Sequence, residues 1–410
     1  MQSLRSPVFV QLELTERCNH RCFYCSNPFS HEGDLASLSV PEIKRVSDQL
    51  LVNEVFSVIL TGGEPFMNRE GLHFALDYLK DNPIEVYVNT NLSQSLGNED
   101  ISRLKRVDNV LVPFHSSDKN LFNVIAGANS YNKVLENLEK LANGQVKFGI
   151  NQVITQRNKR ELLKTGQFLH DKFGITYFSA TPVLPANEKG MAESLSLEEV
   201  VNLSRELIAL ENSTGMKTDI LACLPPCSFP KELLDHRMAS HWCSAGKDTI
   251  TIGPRGYVRR CATLAEEYGN ILREELSVIW SRVSSLPKKG NSLCDRCQSI
   301  GDCYSGCEAR ALAWGRDPYI DGLSKVSASA SYKELDPEKR YKLSGVKSRR
   351  ENEQFLVGNG GGFVIGNSEL VKFIEAIKEL SLTKNGIEKQ FGKSGLNIVT
   401  YLYNRGLVND

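Results

Sequence analysis

Eleven cysteines stand out in this chain of 410 residues. Cys18, Cys22 and Cys25 lie close together near the start, and Cys223, Cys227, Cys243, Cys261, Cys294, Cys297, Cys303 and Cys307 form a second group. Cytosolic proteins keep thiols reduced, so grouped cysteines there read as metal or redox ligands. Cys294-x2-Cys297 alone fits zinc, which favours a closed set of four ligands in structural sites. The spacing Cys-x3-Cys-x2-Cys fits zinc poorly, because no fourth thiol lies nearby. Three thiolates on an iron–sulfur cube leave one iron open, which suits a centre that must bind a substrate or cofactor.

The elements that position these residues follow from hydrophobic periodicity. Runs at 8–14, 56–60, 84–88, 107–114, 146–154 and 177–183 read as strands, and stretches at 40–51, 72–80, 132–141, 159–173 and 197–211 as helices. Ser39-Val-Pro-Glu42 and Ser196-Leu-Glu-Glu199 are capping boxes that open two of the helices. Six strands alternating with helices predict an α/β fold, a parallel sheet with helices outside. Ligand sites in such sheets lie at the C-terminal strand ends. The first cysteine triplet follows the first strand, and Gly62-Gly63-Glu64-Pro65 follows the second, so both land there. Glycines let backbone approach a ligand, and Glu64 can accept from one. Asn89, ending the third strand, and Asn151, on the fifth, are polar candidates for the pocket. Each reads equally well as a polar group satisfied by the protein itself.

After residue 215 the composition changes. Residues 216–325 gain cysteine, proline and glycine, as in a small metal-stapled domain. Residues 326–350 read as a linker, with seven basic and three acidic side chains over 331–350. Runs at 355–357 and 363–365 flank Gly358 and Gly362 and predict a hairpin. Helical stretches follow at 369–380, 383–391 and 396–405, giving the outline of a small winged helix. Charge then narrows the partners. Lys plus Arg and Asp plus Glu are both 49, so whole-chain capture of nucleic acid or an anionic membrane is excluded. Residues 351–410 hold six basic and seven acidic groups, which disfavours DNA as the partner of that tail. No run approaches the roughly 20 apolar residues of a membrane helix. The first residues carry no apolar signal, so the expected location is the cytoplasm.

The run Cys18-Asn-His-Arg-Cys22-Phe-Tyr24-Cys25 resembles the signature of the radical S-adenosylmethionine (SAM) superfamily, and Gly62-Gly63-Glu64-Pro65 resembles its second motif. The resemblance implies a partial (β/α)6 TIM-like barrel over 1–215. It implies a [4Fe–4S] cluster on Cys18, Cys22 and Cys25, whose open iron is chelated by S-adenosylmethionine. One electron, from a reductant such as flavodoxin or ferredoxin, then yields a 5′-deoxyadenosyl radical. Tyr24 would pack near adenine, Glu64 and its neighbours would face the methionyl ammonium group, and Asn151 would reach the ribose. The family often has a serine on the fourth strand that holds the carboxylate; here Pro113 stands there, with Ser116 nearby, and Ala126 replaces an arginine before Gly127. His20 reads as loop filling, and His115, near the strand ends where it could touch substrate, reads better as a satisfied or solvated histidine.

The second group resembles a SPASM domain, an auxiliary-cluster extension of radical enzymes that modify peptides and proteins. Cys243-x12-Gly256-x4-Cys261 and Cys294-x2-Cys297-x5-Cys303-x3-Cys307 match its spacing. The resemblance implies one or two auxiliary [4Fe–4S] clusters. One takes Cys243, Cys261, Cys307 and either Cys227 or Cys223. The other takes Cys294, Cys297, Cys303 and a cysteine this chain lacks, with Asp321, Ser324, the spare cysteine or an open iron in its place. Residues 351–410 resemble the PqqD-like module that captures leader peptides by adding them to a sheet edge. Together these imply radical modification of a ribosomally made precursor peptide: a crosslink, an epimerised residue or an oxidised side chain. A formylglycine-forming sulfatase maturase is the rival, opposed by Ala262 where that group has an acid. A small-molecule substrate and a cluster-bearing winged-helix regulator are the further alternatives.

Overall fold

The computed structural model describes residues 4–27, 34–234, 236–286, 294, 297, 303, 305–314, 334–343, 345–359 and 362–410. Strands β1 (Phe9–Glu13), β2 (Ser57–Thr61), β3 (Glu85–Asn89), β4 (Asn109–Pro113), β5 (Phe148–Ile154), β6 (Tyr177–Pro182) and β7 (Lys217–Ile220) pair in chain order, all parallel. Helices α1 (Val40–Val52), α2 (Arg69–Lys80), α3 (Asn98–Leu104), α4 (Lys119–Ala126), α5 (Tyr131–Asn143), α6 (Leu162–Phe173), α7 (Glu188–Ala192) and α8 (Leu197–Thr214) lie between them. The fold is the expected α/β arrangement of a partial TIM-like barrel, with a seventh parallel strand beyond the predicted six.

Alternation along the strands divides the sheet's two faces. Val10, Leu12, Val58, Leu60, Val86, Val88, Val110, Val112, Ile150 and Phe178 have no exposed surface and form the helix-covered core. The opposite set is half-buried and mixed, with Ile59, Tyr87 and Leu111 beside the polar Gln11, Thr61, Asn89, Asn151 and Thr181. Polar groups on the face turned away from the sealed core give the sheet a surface able to bind a polar ligand.

The cysteine-rich region is not a separate sheet. Strand β8 (Thr249–Ile252) pairs parallel to β1, and β9 (Tyr257–Arg259) and β10 (Glu267–Asn270) extend it antiparallel, so ten strands share one sheet. Helix α9 (Leu276–Ser285) docks on the barrel through Gln49 of α1, whose amide donates to the Ile271 and Glu274 carbonyls and accepts from Leu276 N–H. Helix α10 (Glu308–Trp314) follows Cys307 directly. Among the described residues no helix is long and apolar enough to cross a membrane.

The stretch read as a linker contains structure. Strand β11 (Arg340–Leu343) alternates exposed Arg340 and Lys342 with buried Tyr341 and Leu343. Its basic residues mark the solvent side of a strand, and its apolar pair joins the tail core. Strands β12 (Lys347–Glu351), β13 (Gln354–Asn359) and β14 (Gly362–Gly366) form an antiparallel sheet that includes the predicted hairpin. Helix α11 (Ser368–Ile377), strand β15 (Ser381–Thr383), helix α12 (Lys384–Asn404) and strand β16 (Val408–Asn409) complete the tail. Gly392, at φ 67°, breaks α12 into the two helices the sequence predicts. Strand β11 pairs with both β15 and β16 in a second small sheet.

Arg349 fastens the tail to the barrel. Its buried guanidinium donates to the Ser6, Pro7 and Glu54 carbonyls and pairs with Glu351 at 2.6 Å. Glu351 in turn accepts from Arg5 N–H at 2.7 Å. Replacing Arg349 by Met would strand three carbonyls and a buried carboxylate, at a cost of about 3–5 kcal/mol. The expected result is a lower urea midpoint and earlier proteolytic release of the tail, with Arg349→Lys intermediate.

Candidate functional site

The first cysteine triplet rides on the loop leaving β1. Three contacts shape it, and each needs a glycine. Gly63 N–H donates to Thr15 O at 2.7 Å and Glu64 N–H to Arg17 O at 2.8 Å, so the turn after β2 pairs with the loop as a short ladder. A β-carbon on Gly62 would lie 2.6 Å from Thr15 O, and one on Gly63 2.3 Å from Arg17 O. Gly62 also has φ +143°, open to glycine alone. The third contact comes from the end of α4. Arg21 N–H donates to Ala126 O at 3.0 Å, and a β-carbon on Gly127 would meet Arg21 O at 2.2 Å. These glycines admit the cysteine loop itself, where the sequence suggested they admit a ligand.

Glu64 holds the third side of the loop. It is buried, its Oε1 accepts from Phe66 N–H at 3.1 Å and Thr90 Oγ1 at 2.7 Å, and its Oε2 from Asn91 N–H at 2.7 Å. Burial raises its pKa to about 7, against the pull of these donors. Its lone pairs thus serve protein donors first, and its visible role is to tie Gly-Gly-Glu-Pro to the end of β3. Pro65 opens the short 3-10 turn Pro65–Asn68. Asn91, in the Asn89-Thr90-Asn91 run that the sequence offers as a polar edge of the pocket, aims Nδ2 at Cys18 Sγ across 3.9 Å and at Asn19 Oδ1 across 2.9 Å.

Tyr24 is fixed by His115, a histidine satisfied at Nε2 by the protein itself. Its hydroxyl lies 2.9 Å from His115 Nε2, and the rings meet edge to face at 5.3 Å. His115 follows β4 and stacks on Phe122. Burial pulls His115 down to about 3, so the ring is neutral and Nδ1 has no partner. Burial likewise takes His20 down to about 4. Ser116 is fully buried, and its hydroxyl accepts from Asp118 N–H at 2.9 Å and reaches Glu161. Asn151 Oδ1 accepts from Ser179 and Thr181 hydroxyls, while Asn89 sits half-buried at the end of β3.

Burial raises the three thiols: Cys18 to about 11, Cys22 to about 12, and Cys25 upward as well. Thiols so placed ionise only against a strong positive charge, such as bound iron. Among the described residues no three His, Cys, Asp or Glu side chains close on a single metal ion. Three thiols on one loop, beside a polar and open inner face, fit a cluster with a free coordination site.

The second group divides into two sets. Cys223 hydrogen-bonds Cys243, which with burial pushes its pKa well up, and Cys307 adds to the rise. Cys243 also raises Cys261, and both raise Cys307, which stands at about 11 chiefly through burial. Cys223, Cys243, Cys261 and Cys307 therefore form one neighbourhood. Cys294 and Cys297 act on Cys303 and form another. Asp321 and Ser324 lie outside the described residues.

Two ion pairs join the two regions, the first of them buried on both sides. Arg259 of β9 pairs with Glu13 at the end of β1 and donates to Ala262 O at 2.9 Å, just past Cys261. Burial raises Glu13 to about 7 despite Arg259. Arg255 pairs with Glu16 at 3.0 Å. A cavity of about 360 Å³ opens past the ends of β5 and β6, lined by Val183, Pro185, Met191, Leu195, Glu199, Arg310 and Trp314 among others. Its rim is tied to the cluster loop through Asn187, which donates to Cys25 O at 3.1 Å.

Residues 12–169 match the model of the Radical SAM superfamily. The chain carries a radical SAM domain. That domain works with a [4Fe–4S] cluster and S-adenosylmethionine, and the cysteine-rich region points to auxiliary clusters. A probable GTP 3′,8-cyclase of Sulfurisphaera tokodaii is 35% identical over 164 residues, 38% of this chain and 50% of that one. The AdoMet-dependent heme synthase of Methanosarcina barkeri is 23% identical over 337 residues, 75% of this chain and 93% of that one. The chain thus spans about half the length of the cyclases it matches. Among solved structures, Streptococcus suis SuiB bound to S-adenosylmethionine superposes with a TM-score of 0.64 at 17% identity, over 78% of this chain and 77% of that one. Native anSMEcpe with bound AdoMet gives 0.58 at 17%, over 75% and 95%. These likenesses establish the fold.

Gly63→Ala forces a β-carbon into Arg17 O and is expected to reduce iron bound after anaerobic reconstitution severalfold. Gly97→Ala, whose nearest contact is 3.8 Å away, is expected to load like the parent.

Proposed function

We propose that this protein is a radical SAM enzyme that modifies a ribosomally made peptide. The observation that carries the reading is the second thiol group, Cys223, Cys243, Cys261 and Cys307, together with a cavity at the strand ends that the helix following Cys307 lines through Arg310 and Trp314. On this reading Cys223, rather than Cys227, completes the first auxiliary cluster, and Cys294, Cys297 and Cys303 hold the second with a ligand from elsewhere. When bound, the clusters and S-adenosylmethionine supply one-electron chemistry that yields a 5′-deoxyadenosyl radical. The chain's own residues do the rest. The glycine contacts hold the cysteine loop, and Tyr24, fixed by His115, stands beside it. The half-buried face with Asn89, Asn151 and Thr181 orients the polar parts of the cofactor. The cavity is large enough for one or two side chains of a peptide. SuiB has been crystallised bound to its precursor peptide SuiA, which supports a peptide substrate here.

The tail would hold the leader segment. Strand β12 lies against the barrel, where Lys347 reaches Phe56 O at 3.3 Å, and β14 pairs with β13 on the other side of the sheet. Strand β14 is thus the edge offered to an added peptide strand. A reductant such as flavodoxin or ferredoxin would supply the electron, in the cytoplasm.

A second reading is a small-molecule substrate, favoured by the match that covers 93% of the heme synthase. One experiment separates the two. The protein is co-expressed with a short reading frame beside its gene, and the peptide is weighed against a control with Cys18, Cys22 and Cys25 changed to Ala. A triplet-dependent mass change, or deuterium uptake at constant mass, is the expected result. Absence of both, with 5′-deoxyadenosine still formed on anaerobic reduction, would transfer support to the small molecule.

A further inference from the structure

The wall of the 360 Å³ cavity carries a large aromatic ring that the fold itself does not use. Trp314 ends α10, is 45% exposed, and among the described residues has no ring or hydrogen-bond partner. Aromatic side chains that line a cavity in this way supply flat contact area to a ligand. Arg310 and Trp314 stand one turn apart on α10 and so share a face. Arg310 donates from Nη2 to the Cys223 carbonyl at 2.8 Å, which sets the rotation of this short helix and turns Trp314 to the cavity. Leu312, two residues before Trp314, is 53% exposed and lies off the cavity wall.

The rest of the lining decides what the cavity can take. Val183, Pro185, Met191, Leu195 and Leu197 are its other apolar residues. The polar ones are engaged with one another. Glu199 pairs with Lys159 and accepts from Ser196 N–H at 2.7 Å and from Gln156 Nε2 at 3.0 Å. Gln156 Nε2 also donates to the Ser194 carbonyl at 3.0 Å, and Ser194 Oγ to the Gly190 carbonyl at 2.9 Å. Ser196 Oγ accepts from Glu199 N–H at 3.2 Å. Arg310 is only 2% exposed and presents little of its charge to an occupant. What an occupant meets is mostly carbon. The indole offers a broad flat face and Met191 a polarizable sulfur, and both favour an aromatic ring over a branched aliphatic group.

The same wall is held against the first cysteine loop. Asn187, which caps α7 and donates to Cys25 O at 3.1 Å, stands four residues before Met191. Glu193 pairs at 2.6 Å with Arg157, whose guanidinium lies 4.5 Å from the centre of the Phe23 ring. The segment that supplies Met191, Leu195 and Glu199 therefore grips the cysteine loop at Cys25 and at Phe23.

We propose that this cavity receives an aromatic ring of the substrate, and that Trp314 and Met191 select it. The inference rests on the function proposed above, on which the ring belongs to an aromatic residue of the peptide. Binding there is non-covalent, and no bond or electron changes hands in the pocket. Its effect is to choose which part of the substrate lies beside the cysteine loop.

The test uses the full chain and three probes, the N-acetyl amides of phenylalanine, leucine and glutamate, followed by saturation-transfer nuclear magnetic resonance. The phenylalanine probe is expected to bind best. Trp314→Ala is expected to weaken it about tenfold. Trp314→Phe keeps a ring and is expected to retain most of the binding, and Leu312→Ala, off the wall, all of it. Met191→Ala, expected to weaken the probe severalfold, decides if Trp314→Ala fails to fold. Equal binding by the parent and Trp314→Ala would overturn the proposal, as would binding of none of the probes. So would preference for the glutamate probe, which would assign the cavity to Arg310 and an acidic ligand. The co-expression experiment judges the peptide reading separately. Ring binding with no peptide modified would sink that reading and leave the pocket standing. A modified peptide whose yield is unchanged in Trp314→Ala would sink the pocket and leave the reading.

Discussion

Backbone contacts too close for any β-carbon hold the loop with Cys18, Cys22 and Cys25. The turn after β2 and the end of α4 press on it from two sides, at Thr15, Arg17 and Arg21. Glu64 then ties the first of these turns to the end of β3 through Thr90 and Asn91. Three successive parallel strands and one helix end thus converge on a loop that has little regular structure of its own. Such a loop can present three thiols at a set spacing before any metal arrives, so less ordering entropy opposes binding.

Buried charge extends this frame into the cysteine-rich region. Glu13 ends β1 at the root of the first cysteine loop, and Arg259 bridges it to the backbone just past Cys261. A buried pair of this kind contributes little net stability but penalises any arrangement that separates its members. The two thiol regions are therefore held in one geometry, by a charge pair and by a shared sheet in which β8 lies beside β1.

Much of this was legible in the sequence, for physical reasons that differ by element. Strands and helices of the barrel bury one face completely, so their periodicity is strong and the six predicted strands fall where expected. Helices α3, α4 and α7 are short, from five to eight residues, and carry too few turns to show a period. Strand β11 was hidden by its Lys and Arg residues, which occupy the solvent side of an alternating pattern. The cysteine spacing announced the candidate site, but its supports did not. Asn91, His115 and Arg259 act across 73 to 246 positions of chain, and no local pattern marks such pairs. Glu64 and Ser116 were read as facing a ligand, and only their burial and partners show that they first serve the protein.

The site of attachment of the tail has a consequence for reach. Arg349 grips Ser6, Pro7 and Glu54, which precede β1 and β2, whereas the first cysteine loop leaves the opposite end of β1. Five residues of strand at about 3.3 Å each place roughly 17 Å of barrel between them. A peptide gripped by the tail would need at least five or six extended residues before its reacting position arrives at the cysteine loop. On the proposed reading the molecule would act as a ruler, and residues too close to the gripped segment would pass unmodified whatever their chemistry.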